Sequence, residues 1–195
     1  MRVGLGTGST IAFLLPALAA RRLDVRCVAT SVATEEKARE LGMSVETFSG
    51  GDALARLDIA IDGSDQVAPS GWLVKGGGAA HTREKAVAAA ADRFVVIASS
   101  DKLVERLSPP VPVELLEFGL AGTLRRLDTV RLRDVPRSPD GGVIADFTGD
   151  VDDPEALASR LSATVGVVEH GLFPATMVSD LLVARGDRVE HLELR

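Results

Sequence analysis

Four short segments of this chain carry residue types that hold anions or move protons. In order they are Gly4-Leu5-Gly6-Thr7-Gly8-Ser9-Thr10, Asp62-Gly63-Ser64-Asp65, Lys75-Gly76-Gly77-Gly78 and Thr82-Arg83-Glu84-Lys85. In the first, the hydroxyls of Thr7, Ser9 and Thr10 accompany Gly6 and Gly8 where a strand is expected to turn into a helix. Glycine lets backbone approach an anion closely. The first N–H groups of a helix lack intrahelical partners and carry the positive end of its dipole, so a phosphate monoester suits this loop. The dinucleotide fingerprint GxGxxG is not met, because Ser9 stands in its last position, and no Gly-Lys-Ser/Thr follows to make a P-loop. An ordinary strand-to-helix turn with a serine cap uses the same residues.

Asp62 and Asp65 lie three positions apart across Gly63. In a tight turn that spacing lets both carboxylates face a polyhydroxy ligand, although a plain Asp-Gly turn has the same composition. No histidine or third carboxylate falls at a matching interval, so no metal site is expected there. Three consecutive glycines after Lys75 are entropically costly unless backbone must come close to something, and the ammonium beside them is suited to a developing oxyanion. Glu84 falls in the first turn of the next expected helix. There it either favours the helix dipole or serves as a general base. Lys102, in Ser99-Ser100-Asp101-Lys102 after the following strand, adds positive charge.

Periodicity gives the elements that must carry these loops. Strands are expected at residues 1–5, 25–30, 57–61 and 94–98, and helices at 9–22, 34–41 and 82–91, with Gly42 closing the second. Strands alternating with helices argue for an α/β lobe with a parallel sheet, helices on both faces, and ligands beyond the carboxyl ends of the strands. After Pro109-Pro110-Val111-Pro112 the texture changes. From Val113 onward a strand, a helix (117–127), two strands (129–133 and 143–147), a helix (154–163) and a strand (165–169) are expected. That βαββαβ order matches a small ferredoxin-like α+β unit, with Pro139-Asp140-Gly141-Gly142 turning its middle hairpin. Strands at 181–184 and 189–194 are expected to rejoin the first lobe. The lobes are then 1–110 with 174–195, and 111–173.

A chain of 195 residues, 46% of them hydrophobic, is long enough for one well-buried core or two unequal lobes. Its longest apolar stretch, 11–20, is interrupted by Pro16 and ends at Arg21-Arg22, short of the roughly 18–20 residues that span a bilayer. A glycine loop stands where a signal peptide would have its charged head. The lone Cys27 excludes an internal disulfide and is expected to be a buried thiol in a reducing, cytoplasmic compartment. With a net charge of −6, scattered basic residues and 4% aromatics, nucleic acid is not an expected partner. The densest basic cluster, Arg125-Arg126 with Arg131 and Arg133, alternates with leucine and reads as a solvated face.

In order and interval these segments resemble ribose-5-phosphate isomerase of type A. That family carries GxGTGST, DGAD and KGGG loops, an R-E-K helix start and a lysine after the next strand. Gly166-Val167-Val168-Glu169-His170-Gly171-Leu172-Phe173 is close to its GVVEHGLF stretch, so the resemblance covers nearly the whole chain. It implies a Rossmann-like lobe with a small α+β lobe, often a homodimer, working without metal or cofactor. The reaction implied is interconversion of ribose 5-phosphate and ribulose 5-phosphate through an enediolate. Carried over, the resemblance implies that Thr7, Gly8, Ser9, Thr10, Asp62, Gly63, Ser64, Asp65, Lys75, Gly76, Gly77, Gly78 and Lys102 bind this small-molecule sugar phosphate. Glu84, Asp62 and Lys75 would be catalytic, Glu84 as the proton acceptor.

The chain also departs from the pattern. Gln66 replaces an acidic residue after DGAD, and Ser138-Pro139-Asp140-Gly141-Gly142 replaces a TDNGN-like turn. Members usually have a helical segment before the first glycine loop; without it, weaker phosphate binding is expected. Other classes fit parts of the pattern. A sugar-phosphate-sensing domain would carry a helix-turn-helix segment and have no use for Glu84. An amino-sugar-phosphate deaminase would want a histidine-based ring-opening site, whereas His81, His170 and His191 are scattered and read as structural. A CoA transferase would place a nucleophilic glutamate in a different glycine context.

Overall fold

The structure is a computed structural model, which describes residues 1–51 and 53–194. The chain forms two compact units: Met1–Gly63 with Arg83–Ser100 and Thr176–Arg195, and Ser64–Thr82 with Asp101–Ala175. In chain order the elements are β1 (Arg2–Leu5), α1 (Ser9–Ala20), β2 (Arg26–Ala29), α2 (Val32–Glu40), β3 (Ser44–Val45), β4 (Ile59–Asp62), β5 (Gln66–Val67), β6 (Leu73–Val74), α3 (His81–Ala89) and β7 (Phe94–Ser99). They continue with β8 (Val111–Leu115), α4 (Leu120–Leu127), β9 (Val130–Leu132), β10 (Val143–Phe147), α5 (Pro154–Ser162), β11 (Val167–His170), β12 (Leu172–Phe173), β13 (Asp180–Arg185) and β14 (Arg188–Glu193).

Among the described residues the first unit holds a seven-stranded sheet in the order β14-β13-β7-β4-β1-β2-β3. Every pairing in it is parallel except β13 with β14. The chain steps from β1 to β2 in one direction and from β4 to β7 in the other. Right-handed crossovers therefore put α1 and α2 on one face and α3 on the other. The reversal leaves a crevice beyond the carboxyl ends of β1 and β4, the place where open α/β sheets take their ligands. The expected α/β class is found, and the two late strands complete this sheet.

Val3, Leu5, Ile11, Leu15, Cys27 and Ala38 form the core beneath α1 and α2. Ser31 caps α2 by accepting from Thr34 N at 3.2 Å, and Gly42 leaves it with φ +78°. Burial pushes the Cys27 thiol up to about 11, so at pH 8 it stays a protonated, unreactive hydrophobe. An aromatic disulfide reagent should leave Cys27 unlabelled in native protein and label it fully in denaturant. Rapid labelling without denaturant would contradict its place in β2.

The second unit holds a four-stranded antiparallel sheet in the order β11-β8-β10-β9. Together with α4 and α5 this is the expected βαββαβ unit. Asp153 caps α5 by accepting from Ala156 N at 2.9 Å, with Pro154 in the first turn. The core is built on Val111, Val113, Leu115, Leu127, Phe147 and Leu161. β8 begins two residues earlier than expected and runs through Pro112. That residue's carbonyl still serves, accepting from Gly171 N at 2.7 Å. A small sheet of β12, β6 and β5 was not expected. Among the described residues no helix is long and apolar enough to cross a membrane.

Candidate active site

In the first unit, β1 ends at Leu5 and the chain turns through Gly6, Thr7 and Gly8 into α1. Gly8 is the helix N-cap at φ +111°, with no side-chain cap bond. Glycine takes that conformation cheaply, and no cap side chain competes for the first-turn N–H groups. A Cβ on Gly6 would lie 1.9 Å from Oδ1 of Asp62. The bare Gly6 is what lets this carboxylate rise against the loop. Asp62, buried at the end of β4, accepts through Oδ1 from Thr7 N at 3.1 Å and Gly63 N at 2.7 Å. A Cβ on Gly63 would lie 3.7 Å from Thr10 Oγ1, so the first two segments adjoin. Ser9 and Thr10 are exposed. Glu84, in the first turn of α3, is only 4% exposed.

Two threonines outside the four segments brace this loop. Thr30 Oγ1 lies 2.7 Å from Thr7 Oγ1 and donates to the carbonyl of Leu5 at 3.2 Å. Thr34 Oγ1 donates to the carbonyl of Gly6 at 2.9 Å. The local signal available was the Ser31-x-x-Thr34 capping interval, which announces a helix start and nothing about the loop.

The second unit holds the lysine and glycine segment. Lys75 is only 3% exposed, and its N–H donates to the carbonyl of Gly171 at 2.8 Å. Its Nζ stands 5.4 Å from the ring centroid of Phe173, a cation–π arrangement. A Cβ on Gly171 would come 2.1 Å from the Lys75 carbonyl oxygen. The His170-Gly171-Leu172-Phe173 stretch is thus the bed in which Lys75 lies. Asp65 is exposed, and its Oδ2 accepts from Gly77 N at 2.7 Å. Ser64 Oγ donates to the carbonyls of Gln66 at 2.8 Å and Val74 at 3.0 Å, bracing the turn. Lys102 sits in a short 3-10 turn with Nζ 3.5 Å from the exposed Asp101 carboxylate, a pairing worth little in solvent.

Two of the departures from the family pattern, Gln66 and the turn at 138–142, make specific bonds within the second unit. Gln66 Nε2 donates to the Ser108 carbonyl at 2.9 Å while its Oε1 accepts from Ser108 N at 2.8 Å. A carboxylate would supply only the second bond. Ser138 is buried, donating to Glu114, which also accepts from Thr82 Oγ1. A Cβ on Gly142 would lie 2.1 Å from Glu114 Oε1, so that glycine makes room for the carboxylate.

The basic cluster divides, contrary to expectation. Arg131 is exposed. Arg133 pairs with Asp146 through Nε at 3.1 Å and also through Nη2, and its Nη1 donates to the carbonyls of Gly76 and Gly77 at 3.1 Å each. An alternating Arg-Leu-Arg pattern cannot show this, because the partners lie far away in sequence.

The histidines have separate surroundings. His170 Nδ1 accepts from Leu172 N at 3.2 Å and its Nε2 lies 3.1 Å from Ser162 Oγ. His81 is buried against Gly76. His191 Nε2 lies 2.8 Å from Asp180. Asp180, His191 and Glu193 lie close enough to share a cation. However, Arg93 also holds Asp180 at 2.8 Å, and the bonds from His191 and then Arg93 keep its carboxyl below the usual carboxylate range. A guanidinium already neutralises the best ligand of that group.

The family model described as Ribose 5-phosphate isomerase A (phosphoriboisomerase A) matches residues 26–188. A curated relative, ribose-5-phosphate isomerase A of Halobacterium salinarum, is 47% identical over 183 residues, covering 88% of this chain and 79% of its own. The crystal structure of ribose 5 phosphate isomerase A from Neisseria gonorrhoeae superposes with a TM-score of 0.92 at 30% identity, covering 100% of this chain and 89% of that one. A D-ribose-5-phosphate isomerase solved in complex with phospho-erythronic acid has a TM-score of 0.91 at 30% identity, with 99% of this chain and 90% of that chain covered. This chain belongs to the ribose-5-phosphate isomerase A family.

Proposed function

We propose that this protein interconverts ribose 5-phosphate and ribulose 5-phosphate by moving a proton between C2 and C1 of the open-chain sugar through an enediolate. The observation that carries the reading is the uncapped α1 N-terminus with Asp62 held against it at the sheet's switch point. A phosphate seats on Thr7, Gly8, Ser9 and Thr10. Glu84 takes the proton from one carbon and returns it to the other. The Lys75 ammonium stabilises the charge that develops on oxygen. Backbone N–H groups of the Gly76 to Gly78 loop add to that stabilisation, although that of Gly77 is engaged by Asp65. Asp62 assists ring opening and proton movement between the oxygens, Asp65 and the Gly63-Ser64 turn orient hydroxyls, and Lys102 adds a substrate contact.

The test is conversion of ribose 5-phosphate followed alongside other pentose and hexose phosphates. Thermal-shift measurements on the same panel separate a binder without turnover from an enzyme. Turnover confined to a different sugar phosphate, or stabilisation without turnover, would replace this reading. Ser9→Ala should raise KM roughly tenfold with kcat nearly unchanged, since a hydrogen bond to a charged group contributes about 1.5 kcal/mol or more and phosphate is held alike in ground and transition states. A change in kcat alone would move Ser9 out of the phosphate role. The protein is further read as a cytoplasmic homodimer; light scattering on the purified chain tests the dimer.

A further inference from the structure

The peptide group joining Gly76 to Gly77 is gripped at both poles. Its carbonyl, on Gly76, accepts from Arg133 Nη1 at 3.1 Å, and its N–H, on Gly77, donates to Asp65 Oδ2 at 2.7 Å. The same Nη1 reaches the next carbonyl, that of Gly77, at 3.1 Å. The other edge of the guanidinium, Nε and Nη2, lies on the Asp146 carboxylate. The side chains of Arg133 and Asp146 are 17% and 22% exposed.

Glycines have no side chains with which to fix a peptide plane, and Gly76 adopts φ +100°, a region with little restoring force for this residue. Charge-assisted bonds from a cation on oxygen and an anion on N–H supply the restraint from outside the loop. Only a planar fork reaches a carboxylate with one edge and two carbonyls with another. We propose that Arg133, aligned by Asp146, is a positioning residue. It holds the two peptide planes between Gly76 and Gly78 and so anchors the backbone just beyond Lys75, whose own N–H is held by the Gly171 carbonyl. This rests on the reading of Lys75 given above. Arg133 acts through the loop and does not itself meet substrate.

The experiment compares the full-length protein with Arg133→Ala, Arg133→Lys, Asp146→Asn and Lys75→Met. Misplacing a reacting group by about 1 Å costs on the order of 10²-fold. Arg133→Ala should therefore lose roughly 10–10²-fold in kcat, with little change in KM because phosphate is held elsewhere. Guanidinium ion at millimolar concentration should restore part of that turnover, and ammonium ion should not. Arg133→Lys keeps the charge but not the fork and should remain impaired. Asp146→Asn should show a smaller loss of the same kind, and it keeps the proposal testable if Arg133→Ala does not fold. A purely structural arginine would lower Tm, leave kcat of the folded protein intact and show no guanidinium rescue. That result, with Lys75→Met inactive, overturns the clamp alone. If Lys75→Met is as active as the parent, the reading of the loop fails with it.

Discussion

Glu84→Gln should lose about 10²–10⁴-fold in kcat, the usual contribution of a positioned base, while KM stays within a few-fold of the parent. Glutamine preserves the shape and the helix-start position of this buried residue but has no basic oxygen for the α-proton. In deuterated water the parent should return substrate and product carrying solvent deuterium, and the variant should lose that exchange in parallel with turnover. Circular dichroism and a thermal melt establish that the variant is folded. Near-parent turnover with intact exchange would remove Glu84 from the mechanism and leave the first-turn dipole effect as its role.

Lys75→Met should lower kcat by roughly 10²–10³-fold, the range seen when one stabiliser of a developing oxyanion is removed. Methionine is close to lysine in length and packs well against an aromatic ring, so the contact with Phe173 survives without the charge. The companion variant Lys75→Arg asks whether any cation suffices. It keeps the cation but replaces a compact ammonium with a broad planar fork at a residue only 3% exposed, and it should recover little. Equal activity of Lys75→Met and parent would show that oxygen charge is stabilised by other groups.

Much of this was legible because the relevant signals are local. Leu57 to Ile61, apolar but for Asp58, and Phe94 to Ala98 are short runs bounded by turn residues, and the first unit has parallel strands there. The hairpin glycines at 141 and 142, and the two late strands, were equally plain in pattern. What was missed depends on distant partners. Gln66–Val67, Leu73–Val74 and Leu172–Phe173 are two-residue strands, too short for any period, and Phe173 pairs with Leu73 across most of the second unit's sequence. Arg133 looks solvated in the sequence for the same reason. Its burial is decided by two carbonyls more than fifty residues upstream. Thr30 and Thr34 belong here too, since the loop they support is set by β1, not by their own neighbourhood.

The position of β13 has a consequence for synthesis. It pairs with β7 along Asp180 to Ala184, and β14 folds back on it. Until Asp180 to Ala184 are free to pair, the strand Phe94–Ser99, an uncharged and mostly apolar run, has a bare hydrogen-bonding edge on that side. Chains that stop short of Asp180 leave that edge uncovered and should self-associate more readily than longer ones. β13 and β14 thus cover an edge that a shorter chain would expose.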